Sequence, residues 1–376
     1  MISRSRDFQG KMKNVLRLLT IIFGVIIFSA LLLGAYSSIV SRLPFDEALA
    51  PNALHNIGIA GAEEALTFAR YRKNGDLKIL LINNYQEGIV VGVDLNDYFK
   101  TDQVDPIDLF NTHGYSAILS AASSASHLAS VSAMELEIPF EPKGQHIGIG
   151  ANYLAHAKES KAGDEPFVFP KAVEATHFTS EISMRESPRL DYEGELGFVA
   201  LEDISPGTVF PEFMGLVLCN DFTDRWTLVR QLKMRAPMGT TGFPDGKGKD
   251  GFLPIGNLFV IPRDLEAFYP EIELNLYVNG RLRQKAKVDL MIWEPEKIIK
   301  QIFLRSQWDF HSDRGRVSLL PESGNISAGT IILSGTPAGV IFRPVNIWNR
   351  SLYLAMGDEV VMRSEQMGIL RNTIID

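Results

Sequence analysis

Three carboxylates, Asp191, Glu193 and Glu195, recur at a spacing of two in the segment LDYEGELGFVA, residues 190–200. Leu196, Phe198 and Val199 at its far end predict a β-strand, and alternate side chains of a strand share one face. Such a row either forms a solvated sheet face, where most charges sit, or converges on a divalent cation, because hard ions such as Mg²⁺ take oxygen ligands. A further acid stands in LVLCND, where Asp221 closes an apolar strand just before a predicted helix. It serves there either as a helix N-cap or as a strand-borne ligand. Glu193, Glu195 and Asp221 together offer three carboxylate oxygens to octahedral Mg²⁺ or Mn²⁺, with positions left for water and substrate. Three carboxylates outweigh a divalent charge, and a nearby lysine offsets the excess. The glycine-rich loop PDGKGKDGFLPIG presents Lys247 and Lys249 for that purpose, unless it is merely a flexible turn.

Two further segments carry chemistry. In GANYLAHAKES, His156 and Glu159 are three residues apart, so on a short helix the carboxylate orients the imidazole and raises its basicity. That is half of a general-base device, or else a solvated helical face. In ILSGTPAGV, residues 332–340, an apolar strand runs into a turn that either aims backbone N–H groups and a hydroxyl at an anion or is a tight connection. Cys219 is the single cysteine, which excludes an internal disulfide framework and any cysteine-based metal site.

The elements that must hold these residues are mostly strands. LTFARYRKNGDLKILLINN reads as strand, Asn-Gly turn, strand, and GIVVGVDLNDYF adds another strand. Residues 115–135, rich in Ala and Ser with apolar residues at helical spacing, predict a surface helix. A small α+β domain is expected over about 57–140, within a 45–140 block that begins with a linker at 44–56. From residue 141 short strands alternate with Gly/Pro punctuation, interrupted by helices predicted at about 223–235 and in WEPEKIIKQIFLRS. The pattern predicts an α+β, predominantly β chain built as a large mixed sheet or open roll, not a doubly wound fold.

Residues 1–45 carry Arg4, Arg6, Lys11, Lys13, Arg17 and Arg42 against Asp7 alone, a local charge of +5 within a chain of net charge −8. The remaining −13 excludes a nucleic-acid-binding face. No charged residue occurs from 18 to 40, a run long enough to cross a bilayer as a helix. Residues 1–44 are therefore expected to be a cytoplasmic N-terminus and transmembrane anchor, with the rest of the chain on the far side of the membrane. The competing expectation is a signal peptide cleaved near Gly34, Ala35, Ser37 and Ser38, which releases a secreted or periplasmic protein.

Taken in order, GANYLAHAKE, FVFPKAVEA, LDYEGELGFVA, LVLCNDFTDR, GKGKDGFLPIGN, LYVNGRLRQ and LSGTPAGV resemble the fumarylacetoacetate hydrolase family over about residues 145–376. The resemblance implies a β-roll around Mg²⁺ or Mn²⁺, a homodimer, and activity on small 2-oxo or 1,3-dicarbonyl acids. It implies Glu193, Glu195 and Asp221 as metal ligands, Lys247 beside the metal, and His156 with Glu159 as a dyad on a lid. It also implies Arg225 and Thr336 as groups that hold the substrate. Ile149 occupies the place where some members add a fourth metal carboxylate, so the chain resembles the three-carboxylate branch, acylpyruvase-like or diene-dioate isomerase-like. The sequence departs from the family pattern at Trp226 and Leu228, which replace the usual Asp and Gln, and at Lys249, which replaces an aromatic residue. The expected reaction is hydrolytic C–C cleavage through a metal-stabilised enolate, with Lys247 at the oxyanion and His156 activating water. The alternatives are decarboxylation or isomerisation by the same enolate, or a non-catalytic, membrane-anchored module that binds a metal-chelated oxo acid.

Overall fold

The computed structural model describes residues 2–40, 45, 47–163 and 165–376, the side chains of 2–11, 38 and 40 excepted. Arg42 and the start of the expected linker at residue 44 lie outside the described residues, as do the side chains of Arg4, Arg6 and Lys11.

Among the described residues, eleven strands form one sheet. It runs from the edge strand Leu128–Ser132 through Ile89–Asp94, Asp76–Gln86, Ala65–Lys73, Phe259–Pro262, Met214–Asn220, Gly194–Ala200, Ile331–Leu333 and His146–Gly150 to Phe167–Lys171, with the short strand Leu136–Glu137 pairing with Ala65–Lys73 off this path. A five-stranded sheet, Arg281–Lys287, Glu273–Val278, Glu359–Ser364, Gly368–Ile375 and Glu181–Ser183, packs beside it. Pairing is antiparallel except where Ile331–Leu333 meets His146–Gly150 and where Gly368–Ile375 meets Glu181–Ser183. The chain is thus mixed α+β and mostly sheet. Ala65–Phe68 pairs with Phe259–Pro262, so the N-terminal meander shares its sheet with the strands that carry the acidic residues.

Local chemistry accounts for much of this. Asn74 and Gly75 have φ of 56° and 95°, the left-handed pair that a two-residue hairpin needs. Apolar strand residues such as Leu196, Phe198, Leu216, Leu218, Met362 and Leu370 form one core. Leu66, Phe68, Val217 and Phe259 form another beneath the helix Pro106–Ala121. In the glycine-rich strand His146–Gly150, a Cβ at Gly148 would meet Phe169 Cζ at 2.0 Å and one at Gly150 would meet Phe167 Cζ at 2.1 Å. The aromatic rings of the neighbouring strand lie across the glycines and supply the packing surface that glycine lacks.

Three sequence-based expectations are corrected. The helix expected over 115–135 is instead Pro106–Ala121, capped by Asp105, and Leu128–Ser132 is a strand paired with Ile89–Asp94. Cross-strand partners there override an ambiguous Ala/Ser composition. The helix expected at 223–235 spans Arg225–Gln231, because Thr223 and Asp224 pair with Asp191 and Leu190, and Asp224 caps the helix. The segment 190–200 is not one strand. It breaks at Tyr192 and Glu193, where backbone amides turn to side chains: Glu193 N–H donates to Asn220 Oδ1 (2.9 Å) and Gly194 N–H to Gln284 Oε1 (2.9 Å).

The N-terminal helix Ile2–Val40 includes an apolar stretch, Met12–Ser37, of mean hydropathy 2.7 with none of its most apolar window buried in the protein. Length and composition suffice to cross a bilayer. Ser37, at its end, is buried and its Oγ donates to Asn346 Oδ1 (2.9 Å).

His146 ties two strands together by accepting the Ile331 N–H at Nδ1 (3.1 Å). Burial, aided by nearby Lys171, pushes its imidazole down to about 4. Because the folded value lies below the unfolded one, the unfolded chain binds the extra proton, and stability falls as pH drops from about 6.5 towards 4. The expected loss is about 3 kcal/mol across that window. Melting curves between pH 4 and 7 check this: His146→Asn should flatten the acid side, and an unchanged slope rules out His146 as its source.

Candidate metal centre and catalytic dyad

Glu195 lies in the strand Gly194–Ala200, opposite Cys219 of Met214–Asn220. Just beyond the ladder, Asp221 N–H donates to Glu193 O (2.8 Å), which holds the two irregular residues face to face. Strand break and strand end therefore deliver three carboxylates to one point: ligand oxygens of Glu193, Glu195 and Asp221 lie within 4.8 Å of one another. All three residues are buried, so the solvated-face reading is excluded. Asp221 is not a helix cap; Asp224 takes that part.

Asp191 does not join the cluster. Its carboxylate accepts from Arg225 Nε (2.8 Å) and from the N–H groups of Ile341 and Phe342 (3.0 Å each). Arg225 also donates through Nη2 to Glu193 Oε1 in a short contact, and its guanidinium lies 5.2 Å from the centre of the Phe342 ring. Asp191 thus fixes the arginine that fixes a cluster carboxylate.

Lys247, at the end of the short helix Phe243–Lys247, donates to Glu193 Oε2 (2.8 Å), Asp221 Oδ2 (2.6 Å) and Thr223 Oγ1 (2.9 Å). An ammonium has three donors, and all are spent here. Sequence reasoning missed Lys171, which is fully buried with Nζ 2.7 Å from Asp221 Oδ1 and bonds to the carbonyls of Lys247 and Phe252. The signal was a lysine closing the otherwise apolar FVFPK.

The electrostatics are uneven. Burial alone would raise the Glu193 carboxyl, but Arg225 and Lys247 outweigh it and hold it down at about 2. For Lys247, burial is outweighed by Asp221 and Glu193, which raise it. Lys171 goes the other way, lowered by burial against the pull of Asp221. Glu195 stands apart: burial, then the charges of Asp221 and Glu193, raise its carboxyl well above the ordinary range. It accepts the Gly335 N–H at Oε2 (2.8 Å) but has no ion pair among the described residues. Asp221 Oδ1 is close to Lys171 yet makes no well-directed hydrogen bond; the short distance establishes an ion pair, and its geometry leaves the oxygen under-satisfied. Four buried carboxylates, counting Asp191, face three buried cations, Lys171, Lys247 and Arg225. A divalent ion would reverse that balance to net positive. The donor set, its uncompensated glutamate and its under-satisfied aspartate oxygen all fit such an ion.

His156 and Glu159 stand on the helix Leu154–Ser160, with His156 Nδ1 3.1 Å from Glu159 Oε1. A carboxylate only accepts, so Nδ1 carries the proton and Nε2 is left as the base. Glu159 is held in turn by Gly339 N–H (3.1 Å to Oε1) and by Arg343 Nη2, a partner the sequence reading also missed. The turn after the strand Ile331–Leu333 therefore aims its N–H groups at the chain's own Glu195 and Glu159. Thr336 in that turn accepts from Gln284 Nε2 (2.7 Å) and donates to Gly194 O (3.1 Å). Lys249 does not enter the cluster; it binds Asp224 Oδ2 (2.8 Å), Ser187 Oγ and Glu186 O.

His156, Glu193, Arg225, Lys247 and Thr336 border one cavity of ≈ 140 Å³. Its apolar wall is Ile149, Phe167, Leu228, Phe243 and Phe342. Ile149 thus lines the site without offering a ligand, and Leu228 supplies apolar surface. The arrangement can bind a cation, neutralise a small anion, and move a proton at His156 Nε2.

Comparison with known proteins gives the family of the fold. The profile of the fumarylacetoacetate (FAA) hydrolase C-terminal family matches residues 145–375. A 2,4-didehydro-3-deoxy-L-rhamnonate hydrolase of Sphingomonas sp. is 27% identical over 265 residues, covering 68% of this chain and 82% of that protein. An oxaloacetate tautomerase of Bacillus subtilis is 28% identical over 263 residues, 66% of this chain and 76% of its own length. In structure, the fumarylacetoacetate hydrolase of Exiguobacterium antarcticum superimposes with a TM-score of 0.57 at 22% identity, over 82% of this chain and 99% of that one. On the extent of the profile match, this chain belongs to the fumarylacetoacetate hydrolase family.

Proposed function

We propose that the chain is a divalent-metal-dependent enzyme that hydrolyses a C–C bond in a small 2-oxo or 1,3-diketo acid. The observation that carries this reading is the buried three-carboxylate cluster, one member of which, Glu193, lines the same small cavity as His156 of the His–Glu dyad. Glu193, Glu195 and Asp221 would hold Mg²⁺ or Mn²⁺, which supplies Lewis acidity toward adjacent oxo and carboxylate oxygens. Arg225 keeps donors beyond those spent on Asp191 and Glu193, and these suit a substrate carboxylate at the cavity wall. Thr336 offers only the remaining lone pair of its hydroxyl. His156 Nε2 takes a proton from water for attack on the distal carbonyl, and Glu159 stabilises the imidazolium. The donors of Lys247 are engaged, so its part is to hold two carboxylates in register and add positive charge near the developing oxyanion. The reading includes single-pass anchorage through Met12–Ser37 with the basic N-terminus cytoplasmic, and a homodimer as the resemblance implies.

Tautomerisation or decarboxylation is the second reading. The small cavity with its largely apolar wall favours it, since proton shuttling at His156 needs no water, and a tautomerase stands among the relatives. The test uses the full chain in nanodiscs with Mg²⁺ or Mn²⁺. A metal-dependent fall in the ultraviolet absorbance of a small acylpyruvate, with release of a carboxylic acid, supports hydrolysis. Loss of the oxaloacetate enol band without cleavage supports the second reading. Tight metal binding with no turnover of either class leaves a non-catalytic binding module.

A further inference from the structure

We propose that the surface formed by Trp226, Trp348, Arg189 and Arg350 docks onto the anionic headgroup layer of the bilayer entered by the helix Ile2–Val40, holding the mouth of the cavity at the membrane. The inference rests on the anchor reading above and adds a second membrane contact to it.

The position comes from the end of the apolar helix. Ser37 is buried against the body of the protein, and its Oγ bonds Asn346 within the single-turn segment Pro344–Trp348. The surface around 344–348 is therefore fixed beside the place where the apolar stretch meets the folded domain.

The chemistry comes from what that surface displays. Trp348 is 77% exposed, an unusual state for the largest apolar side chain in water. Trp226 stands edge-on to it with ring centres 6.3 Å apart. Arg189 covers Trp226 at 4.5 Å and bonds Ile347 O through Nε (2.6 Å), which locks the pair to the same segment. Tryptophan with arginine is the composition that settles at the membrane–water boundary, where the ring meets the acyl edge and the guanidinium the phosphates.

Charge points the same way. No acidic residue occurs from 225 to 244 or from 323 to 357, although the chain as a whole is at −8. Arg350, two residues beyond Trp348, is exposed. A basic, aromatic surface on an acidic protein matches anionic lipid. The same stretches supply Arg225, Val229 and Phe342 to the cavity wall, so docking here sets the mouth near the headgroups.

The test exploits the tryptophan count, which is four: 226, 293, 308 and 348. Trp293 is buried. Full-length chain in nanodiscs containing phosphatidylglycerol and a headgroup-nitroxide lipid should show tryptophan quenching that falls at least twofold in the W226F/W348F variant and partly in W348F alone. Quenching should weaken when phosphatidylcholine replaces phosphatidylglycerol and when salt is raised. Equal quenching in wild type and double variant overturns the docking. Flotation after alkaline extraction separates this from the anchor reading: a chain that stays with the membrane but shows no Trp348-dependent quenching keeps the anchor and loses the docking. A chain that leaves the membrane loses both. A blue shift that needs Trp348, appears in lipid-free detergent and grows with protein concentration assigns the face to a second copy and overturns the lipid assignment.

Discussion

Glu195→Gln is expected to abolish metal binding while leaving the metal-free chain at least as stable as the wild type. The two halves of that result share one cause. Glu195 is buried, its carboxyl is raised by burial and by two neighbouring carboxylates that outweigh Lys247, and no cation among the described residues forms an ion pair with it. Glutamine keeps the shape and an acceptor for the Gly335 N–H while removing the charge that only a bound ion would balance. In the wild type, Mn²⁺ at a hundred times its Kd should stabilise the fold by about 2.7 kcal/mol. In E195Q that increment should vanish. Asp221→Asn should behave in the opposite sense without metal, since it strands the ammonium of Lys171 and takes one of two carboxylates from Lys247, at a cost of about 3–5 kcal/mol. Thermal unfolding of both variants with Mn²⁺ and with a chelator reads all four values. An undiminished Mn²⁺ increment in E195Q would remove Glu195 from the ligand set.

His156→Ala should leave the metal affinity of the wild type unchanged and lower kcat by about 10²–10⁴-fold, the range for a removed general base. The separation is structural: the imidazole borders the cavity but bonds Glu159, not the carboxylate cluster. Glu159→Gln should give a smaller fall, because Nδ1–H still finds an acceptor but the imidazolium loses its counter-charge. Glu193→Ala should lose bound metal and turnover together. Titration calorimetry with Mn²⁺ beside steady-state kinetics checks the division, and a His156→Ala enzyme with weakened metal binding contradicts it.

Most of this site was legible because its signals are local. Glu193 and Glu195 sit two apart at a strand start, Asp221 closes a strand, and His156 and Glu159 share one helical turn. What escaped was set by distance in the chain. The lysine closing FVFPK signals burial, but nothing near Lys171 announces that its partner is Asp221, fifty residues on. Arg343 reaches Glu159 across more than 180 residues, and separations of 34, 150 and 151 residues hide why Asp191 serves Arg225 and the amides of Ile341 and Phe342. The fold followed the same rule. The Asn74-Gly75 hairpin and the Pro295-led helix Pro295–Arg305 were readable from turn and capping chemistry. The strand Leu128–Ser132 was not, because only its partner Ile89–Asp94 makes it one.

The paired glycines and phenylalanines of the strands His146–Gly150 and Phe167–Lys171 carry a consequence for how this protein can drift. Phe169 fills the space over Gly148 and also faces Lys247, 5.3 Å from its ring centre, while Phe167 over Gly150 forms part of the cavity wall. A side chain gained at 148 must evict the ring at 169, and with it the floor beneath the lysine. Residues at these positions are therefore free to change only in concert, and a lineage that altered one pair would inherit a differently shaped chamber for its substrate.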